Sequence, residues 1–484
     1  MTTRLPALLL AALVCCAHAA EPAKASKPNV IFILADDLGI GDLGCYGQQK
    51  IHTPNIDHLA ADGLRFLQHY TGCSVCAPSR CTLMTGKHVG HAAIRDNMQR
   101  GPSEEGQRPM PAGTVTVAQL MQGAGYYTGI IGKWGLGMPE DHSSPRDFGF
   151  NYSYGYLCQS MAHTYYPPYL WRNNERETLA GNPPYDVSMK GVIEPKGEIY
   201  AHDQMANDAL KFVSDHHDKP FFLYLAFTIP HLSLQVPDDS MAQYKGQWTE
   251  TPFTNTKHYA NNDTPRAAYA GMITRMDHDI GRLMALLKQL GIDDNTLVFF
   301  SSDNGAVFPL AGTDPVFFQS TGGFRGYKQD LYEGGIRTPL IARWPGKIKA
   351  GDTTGHVSAF YDFLPTMTEL TGATTPTDTD GLSYLPTLLG QNGQKQHDFL
   401  YWEYESQGGR VAVRMGDWKA IANGIKKNPN APFELYDLAA DRTESHDLAA
   451  EHPELITKAK EIIRREHQPS PVKEWNFTLG ASKP

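Results

Sequence analysis

The sequence has no long apolar segment after its N-terminal region, no excess of basic residues, and no internal repeat or low-complexity tract. A membrane-spanning helix needs about 20 consecutive apolar residues, so no transmembrane segment is predicted. The formal net charge of −9 argues against a nucleic-acid-binding protein, because phosphates require a basic face. The composition, with 41% hydrophobic and 20% charged residues, is that of an ordinary globular protein.

The N-terminus predicts export. Arg4 precedes a short apolar run at residues 5–14, and small residues at 17 and 19 favour cleavage after Ala19. A retained membrane anchor or a lipidated Cys15 or Cys16 is the alternative interpretation. We therefore expect residues 1–19 to be a signal peptide and the mature protein to be periplasmic or secreted.

Cysteine is scarce. The chain has seven, and loss of residues 1–19 removes two of them, leaving Cys45, Cys73, Cys76, Cys81 and Cys158. An odd number in an exported protein leaves at least one sulfur outside any disulfide scheme. That sulfur requires an explanation.

Apolar strand-like runs alternate with helical segments from Pro28 onward, which predicts a parallel sheet flanked by helices. Four of the runs end in polar side chains. Residues 30–35 lead to Asp36 and Asp37, 128–131 to Lys133, 221–227 to His231, and 297–300 to Asp303 and Asn304. Ligands of open α/β sheets bind beyond the carboxyl ends of the strands, so these side chains point to one shared site.

A polar, turn-rich segment near residues 385–398 predicts a domain boundary. We expect a large domain at 28–390, built on a mostly parallel sheet flanked by helices. Residues 391–484 would form a smaller C-terminal α+β domain. Its strand-like runs near 399–404, 409–415, 417–422 and 433–437 predict an antiparallel sheet, followed by a helix at about 452–466.

The segment from Cys73 to Gly86 is the most informative stretch. Pro78 suits the first turn of a helix, which places Cys76 at the helix start and Arg80 one turn later. A helix N-terminus and an arginine both favour a bound anion, so a nucleophile at Cys76 would face an oxyanion.

The three closely spaced cysteines also allow two other interpretations. Cys73 and Cys76 could form a redox pair. The cluster could instead bind zinc together with His69 and His88. Neither interpretation accounts for the Pro-Ser-Arg that follows Cys76.

The pattern Cys76-x-Pro78-Ser79-Arg80, followed by Leu83-x-Thr85-Gly86, resembles the signature of type I sulfatases, members of the alkaline phosphatase superfamily. In that family the cysteine is oxidised to formylglycine by a maturation enzyme. Further matches extend over most of the chain: Asp36-Asp37-Leu38-Gly39, Gly132-Lys133-Trp134, Pro230-His231, Asp303-Asn304-Gly305, Arg325-Gly326-x-Lys328, Glu333-Gly334-Gly335-x-Arg337-x-Pro339, and Leu435-Tyr436-Asp437-Leu438 with Asp441.

The resemblance implies that one divalent cation is bound by Asp36, Asp37, Asp303 and Asn304, with the modified Cys76 beside it. Carboxylate and amide oxygens make a hard site that suits Ca²⁺ rather than zinc. Asp36 and Asp37 alone could equally form a helix cap or a turn; the second pair at another strand end favours the metal site.

The resemblance also implies that Arg80, Lys133, His231 and Lys328 bind sulfate. In the family's mechanism the hydrated aldehyde attacks sulfur with help from Asp303. The basic residues stabilise the charge, His231 with Lys328 protonates the leaving alcohol, and the second hydroxyl expels sulfate. Any one of these basic residues, taken alone, could be an ordinary solvated side chain or a satisfied histidine.

One position departs from the family pattern Gly-Lys-x-His-x-Gly. Here Gly135 replaces the histidine that is thought to assist the final elimination, and glycine cannot move a proton. We hypothesise that His163, which lies in an aromatic loop, substitutes for it. A packing or substrate-contact role for His163 is the alternative.

Residues 150–171 are rich in aromatic side chains, which suits either stacking on sugar rings or a buried cluster: Phe150, Tyr152, Tyr154, Tyr156, Tyr165, Tyr166, Tyr169 and Trp171. Together with Gly132-Lys133-Trp134-Gly135-Leu136-Gly137, this segment resembles bacterial sulfatases that act on carbohydrates. The resemblance implies a sulfated carbohydrate as substrate, with an aryl sulfate as the simpler one. The alternative functions are a phosphodiesterase or phosphonate monoester hydrolase of the same superfamily, and a non-catalytic carbohydrate-binding homologue. A zinc phosphatase is disfavoured because no second set of metal ligands is evident.

Overall fold

The computed structural model describes Thr2 and residues 27–101, 104–184, 196–254 and 258–480. The predicted signal peptide at 1–19 lies, apart from Thr2, outside the described residues. The part of the chain that is described contains no helix both long and apolar enough to cross a membrane.

Ten strands form one sheet: β1 (Asn29–Ala35), β2 (Leu64–Tyr70), β3 (Tyr127–Lys133), β4 (Tyr152–Tyr156), β5 (Tyr169–Arg172), β6 (Glu175–Thr178), β7 (Phe221–Ala226), β8 (Thr296–Ser302), β9 (Leu340–Arg343) and β10 (Asp352–Ala359). Their order is β10-β2-β9-β8-β1-β7-β3-β4-β5-β6. The five central strands from β8 to β4 are parallel to one another, and β9 is antiparallel to both of its neighbours. The sheet is therefore mixed but mostly parallel at its centre, as predicted.

The α-helices are α1 (Pro54–Ala61), α2 (Cys76–Thr85), α3 (Val117–Gly123), α4 (Ala201–His216), α5 (Asp238–Met241), α6 (Pro265–Gln289), α7 (Pro315–Phe318), α8 (Glu333–Ile336), α9 (Phe363–Thr371), α10 (Leu385–Leu388) and α11 (Pro453–Glu466). Two large apolar cores lie against the ten-stranded sheet. One contains the apolar face of α6, and the other contains parts of α2 and α9.

The central strands bury every residue on both faces, which is why they read as continuous apolar runs. β1 lies between β7 and β8, and β7 lies between β1 and β3. Because these four neighbours are parallel, their carboxyl ends meet at one edge of the sheet. The prediction of these four strands is confirmed.

The first turn of α1 is hydrogen-bonded to α6. Pro54 needs no N–H partner at that position, and the free N–H groups of Asn55 and Ile56 donate to Asp277 of α6, at 3.2 and 2.8 Å. A buried carboxylate thus satisfies the exposed end of the helix and sets how the two helices pack.

A second, antiparallel sheet has the order β11 (Leu400–Tyr404), β12 (Arg410–Met415), β13 (Trp418–Asn423) and β14 (Phe433–Asp437), with α11 following it. The predicted fold class is confirmed. The boundary near residue 390 stays a prediction.

A buried polar network joins the two sheets. Glu333, at the start of α8, accepts from Lys419 of β13 at 2.9 Å, from Tyr70 of β2 at 2.7 Å and from Arg337 at 3.0 Å. Arg414 of β12 donates to the Tyr70 hydroxyl at 2.5 Å. Glu333 thus accepts hydrogen bonds from both sheets, and its charge is compensated by Lys419 of the second sheet and by Arg337.

Replacing Lys419 tests this network. Lys419→Met leaves the carboxylate of Glu333 without its nearest buried cation, which costs about 3–5 kcal/mol when one partner of a buried pair is removed. We expect an earlier unfolding midpoint in guanidinium. Lys349→Met, which removes an exposed lysine paired with Asp352, is the control and should change little. Wild-type stability of Lys419→Met would show that the network contributes nothing.

Candidate active site

Side chains from four neighbouring strand ends converge at one edge of the large sheet. Asp36 and Asp37 follow β1, and Asp303 follows β8. Lys133 is the last residue of β3, and His231 lies in the loop after β7. All five side chains are buried. The structure thus brings together what the sequence predicted from the ends of buried strands.

Backbone hydrogen bonds hold the two acidic segments side by side. The Asp36 N–H donates to the carbonyl of Ile229, and the Asp303 N–H donates to the carbonyl of Ala35 at 3.1 Å. Asp37 has a φ of +67°, in the left-handed region that L residues rarely adopt. Its N–H donates to Asp303 Oδ1 at 3.1 Å, which ties this unusual conformation to the opposite strand end.

Cys76 is the first residue of α2, as the sequence predicted. Its Sγ lies 3.4 Å from Asp36 Oδ1 and 3.3 Å from Lys328 Nζ. The N–H of Ala77, one of the free donors at the helix start, is taken by Asn97 Oδ1 at 2.8 Å. The sulfur therefore lies between a carboxylate and an ammonium group.

Arg80 is fixed one helical turn after Cys76. Its Nε and one terminal nitrogen donate to Asp303 Oδ2 at 3.0 and 2.8 Å. Its other terminal nitrogen donates to the carbonyl of Lys133 at 2.8 Å. A forked contact of this kind fixes the guanidinium plane, so its position does not depend on a bound anion.

Two lysines complete the charge pattern. Lys133 Nζ lies 2.6 Å from Asp36 Oδ2, and Lys328 Nζ lies 2.9 Å from Asp37 Oδ2. Although burial alone would lower it, the charge of Asp37 raises the pKa of Lys328 well above its usual range. Lys328 is therefore protonated at neutral pH.

The pKa values of Asp36 and Asp303 are shifted in opposite directions. Burial would raise the pKa of Asp36, but the basic groups around it, Lys133 first, hold that pKa well below its usual range. Burial and the neighbouring Asp36 charge raise the pKa of Asp303 to about 6, despite the contact with Arg80. Adding a positive charge between the two would favour the ionised form of Asp303.

The oxygens fit a hard divalent cation. Asn304 donates through Nδ2 to Asp37 Oδ1 at 2.8 Å and to the carbonyl of Gly305, which leaves its buried Oδ1 without a hydrogen-bond partner. An unsatisfied buried oxygen is costly unless something binds it. Asp36, Asp37 and Asp303 supply the charged oxygens of such a site.

Cys76 is a poor nucleophile as a thiol. Burial, followed by the charge of Asp36, raises its pKa to about 12. Since the thiolate is the reactive form, little of it exists at neutral pH.

His231 lies at the outer side of the acidic group. Its Nδ1 is 2.6 Å from the carbonyl of Leu232, to which it donates, and its Nε2 is 3.6 Å from Asp37 Oδ2. Burial lowers the pKa of His231 to about 4, although the Asp37 charge opposes this. The ring is therefore neutral at physiological pH, and Nε2 presents a lone pair.

His163 stacks on His231, with ring centroids 5.0 Å apart and planes at 13°. Its ring also lies edge-on to His258. Burial lowers the pKa of His163 well below its usual range, and the repulsion that two protonated rings would feel so close together, His163 and His231, acts in the same direction. The structure thus places His163 beside the site, against His231.

Gln159 is the residue that sequence reasoning missed. A Cβ built on Gly135 would lie 2.1 Å from Gln159 Nε2, so this amide fills the space into which a side chain at 135 would project. Gln159 is buried, and its Nε2 has no hydrogen-bond partner. The departure of Gly135 from the family pattern was the only signal that could have drawn attention to this space.

The other interpretations of the cysteine cluster are not supported by its contacts. The five cysteines of the described chain are unpaired. Cys73 Sγ contacts the carbonyl of Glu403, whereas Cys76 faces Asp36. His69 is bonded to Ser358 and does not approach the cysteines as a metal ligand.

The aromatic segment is mainly core, so of the two interpretations that the sequence left open, the buried cluster is the one that most of its rings follow. Six of the eight are buried, and Tyr152 and Tyr169 are half-buried. Their role at the site is indirect. Tyr165, for example, donates to the carbonyl oxygen of Thr228 at 2.6 Å and approaches that of His231 at 3.0 Å, which positions the His231 loop.

Comparison with known proteins agrees with this arrangement. The family described as Sulfatase matches residues 28–373, and the one described as N-sulphoglucosamine sulphohydrolase, C-terminal, matches residues 323–468. The chain is 33% identical to arylsulfatase A of Homo sapiens over 92% of this chain and 89% of that protein. It is 28% identical to an N-acetylgalactosamine-6-O-sulfatase of Bacteroides thetaiotaomicron, over 90% and 92%.

A crystal structure of Ps i-CgsB in complex with k-i-k-neocarrahexaose superimposes with a TM-score of 0.75 at 27% identity, over 94% of this chain and 95% of that one. The fold is of the alkaline-phosphatase-like class, and a cysteine, acidic side chains and basic side chains meet at the ends of its parallel strands. The chain belongs to the sulfatase family and is a sulfuric ester hydrolase.

The electrostatic setting of Cys76 can be tested in protein that retains the unmodified thiol. Asp36→Asn removes a charge that raises the thiol pKa while the two lysines stay, so we expect faster alkylation of Cys76 at mildly alkaline pH. Peptide mass spectrometry would measure the rates. Cys73, which has no contact with Asp36, serves as the control: equal acceleration at both cysteines would indicate general loosening and contradict the electrostatic explanation.

Proposed function

We propose that this sulfatase hydrolyses the sulfate ester of a carbohydrate, using formylglycine formed from Cys76 and one Ca²⁺. The observation that carries the proposal is the position of Cys76 Sγ, between Asp36 and Lys328 and at the start of a helix. The thiol found there is suppressed as a nucleophile, whereas the hydrate of an aldehyde offers two hydroxyl groups at the same place.

Calcium would be held by Asp36, Asp37, Asp303 and Asn304. The orphaned amide oxygen of Asn304 and three carboxylates form an all-oxygen donor set that suits a hard cation. When bound, the cation supplies Lewis-acid stabilisation of charge on sulfate oxygens and lowers the pKa of hydroxyl groups next to it.

The basic residues supply the rest of the anion site. Arg80, Lys133 and Lys328 are buried and already oriented by carboxylates, so they bind charge on the sulfate without first reorganising. In the described site these three cations balance Asp36, Asp37 and Asp303. A divalent cation would leave a surplus of positive charge, and a sulfate ester would compensate part of it.

The proton for the leaving alcohol starts on Lys328. Lys328 is protonated, whereas His231 is neutral and its Nδ1–H is committed to the carbonyl of Leu232. His231 Nε2 is therefore an acceptor that can orient the leaving group or pass on a proton. This refines the expectation that His231 and Lys328 together protonate the leaving alcohol, by assigning the proton to Lys328.

The carbohydrate substrate is supported by two of the relatives. One is named an N-acetylgalactosamine-6-O-sulfatase, and a structural relative was crystallised in complex with k-i-k-neocarrahexaose. The buried aromatic segment does not supply the sugar contacts, so the substrate class depends on these relatives. An aryl sulfate would serve as the simple assay substrate.

Two side chains are candidates to take over the role of the family's histidine, whose position is Gly135 in this chain. Gln159 occupies the space beside Gly135 and offers an unpaired N–H donor, which can bind an oxyanion but cannot accept a proton. His163 is titratable and stacks on His231. We propose that Gln159 positions the reacting group and that His163 supplies the proton transfer.

Export and maturation complete the proposal. Residues 1–19 would direct the chain to the periplasm or outside the cell, and a formylglycine-generating enzyme would act on Cys76. Both proposals come from the sequence pattern, since the signal segment lies outside the described residues.

Assay and mass measurement test the proposal together. The peptide covering residues 71–87 should carry an aldehyde in place of the Cys76 thiol, and the protein should turn over an aryl sulfate far faster than a phosphate diester. Removal of calcium with a chelator should abolish turnover, and added Ca²⁺ should restore it. Cys76→Ala should be inactive, because the nucleophile is absent.

Three results would count against it: an unmodified thiol in active protein, activity that survives complete removal of calcium, or a preference for phosphate diesters. The last would favour the phosphodiesterase or phosphonate hydrolase alternative. Asn304→Ala gives an independent check, because it should raise the calcium concentration needed for half-maximal activity.

Substitution of His163 and Gln159 separates their roles. His163→Ala should lower kcat for an aryl sulfate about 10²–10⁴-fold, the range for loss of a proton-transfer group. Gln159→Ala should have a smaller effect on kcat that depends little on pH. His278→Ala, on the exposed face of α6, is the control for histidine loss. Unchanged turnover in His163→Ala would show that this residue is not the substitute.

A further inference from the structure

A second cluster of potential metal ligands lies outside the active site. It contains His88 and His91, from the turn that follows α2, and Glu466, the last residue of α11. His88 Nε2 is 3.1 Å from Glu466 Oε2, and His91 Nε2 is 3.4 Å from the same oxygen. We propose that these three side chains bind a transition-metal ion of the Zn²⁺ type.

The distances suit a tetrahedral ion. Zinc–ligand distances of about 2.0–2.1 Å place neighbouring ligand atoms about 3.3 Å apart in a tetrahedral site. The observed separations from Glu466 Oε2 are close to this value, and the three ligand atoms all lie within 4.8 Å of one another. Two imidazoles and one carboxylate form a ligand set that binds Zn²⁺ in preference to Ca²⁺.

The hydrogen bonds of His91 favour a cation between the side chains. Its Nδ1 lies 2.9 Å from Asp380 Oδ1, to which it donates, so a neutral ring presents only a lone pair at Nε2. Nε2 faces Glu466 Oε2 at 3.4 Å, a contact that either a proton or a metal ion between the two atoms would make favourable. A carboxylate that holds the outer nitrogen of a metal-binding histidine is a common way to fix the ring.

The backbone supports this arrangement. The His91 N–H donates to the carbonyl of His88 at 2.9 Å, which closes the turn and brings the two ring centroids within 4.1 Å, with the planes tilted by 31°. A Cβ on Gly90 would lie 2.5 Å from the Glu466 carbonyl oxygen, so only glycine allows this close approach. The other carboxylate oxygen of Glu466 accepts from Arg465, which leaves Oε2 for the ion.

A cleft of about 470 Å³ opens onto the cluster and gives access to the fourth position of a tetrahedral ion. Its lining includes His88, Asp380, Glu466, Lys395 and His397. His397 is paired with Asp362, at 2.8 Å, and takes no part in the cluster. It is therefore a matched control from the same cleft.

A metal at this position would link the turn after α2, the helix that begins with Cys76, to the end of α11. The linked residues His88 and Glu466 are 378 positions apart in the sequence. The metal would act on stability and not on the chemical step. The inference is independent of the proposed function, because its readouts do not use activity.

The test measures metal content and thermal stability of the full mature protein. After gel filtration in calcium-containing buffer with added Zn²⁺, wild type and His397→Gln should retain one zinc per chain and unfold at a higher temperature than without zinc. His91→Gln and Glu466→Gln should lose both effects. Asp36→Asn should keep the zinc, because its substitution affects only the active site.

Cobalt gives a readout that needs no variant. Co²⁺ bound to wild type should show the intense visible absorption of a four-coordinate site with nitrogen ligands. The inference is wrong if wild type retains no zinc and gives only the weak spectrum of six-coordinate cobalt, since the cluster is then an ion-pair network alone. Zinc that persists in His91→Gln, or is lost in Asp36→Asn, would place the ion elsewhere and also overturn it.

Discussion

The active site depends on a balance of buried charge. Three carboxylates and three basic side chains are buried together, and each charge is stable there only because its partners are fixed within hydrogen-bond distance. The ends of parallel strands supply this precision, because backbone hydrogen bonds set the positions of Asp36 and Asp303 relative to each other. The same balance leaves the amide oxygen of Asn304 unsatisfied, which is the clearest sign that the site is built for one more positive charge.

Much of the surrounding structure serves to hold that balance. Tyr165 anchors the His231 loop, and Arg80 joins α2 to β3 and β8 at once. The second sheet contributes from further away, through Lys419 and its contact with Glu333, a few residues after Lys328. The small C-terminal sheet is thus part of the support of the site and not an appendage.

The fold could be predicted from the sequence because each buried parallel strand is a continuous apolar run. Most of the candidate site could be predicted because short polar motifs directly follow those runs. Gln159 could not, since its contact with Gly135 depends on the path of a loop that no local pattern encodes. The aromatic segment allowed two interpretations, because a ring suits a core as well as a sugar, and only its burial in the structure decides between them. The Glu333 network and the contact of His88 with Glu466 join residues so distant in the chain that only the folded structure shows them.

The burial of Cys76 has a consequence for the order of events in biosynthesis. Its side chain is 1% exposed and begins a helix whose every residue is buried. If Cys76 is oxidised to formylglycine as proposed, the maturation enzyme would need access to a side chain that the folded chain buries. The proposed modification would then come before the packing of α2, and a chain that folds first would keep its thiol.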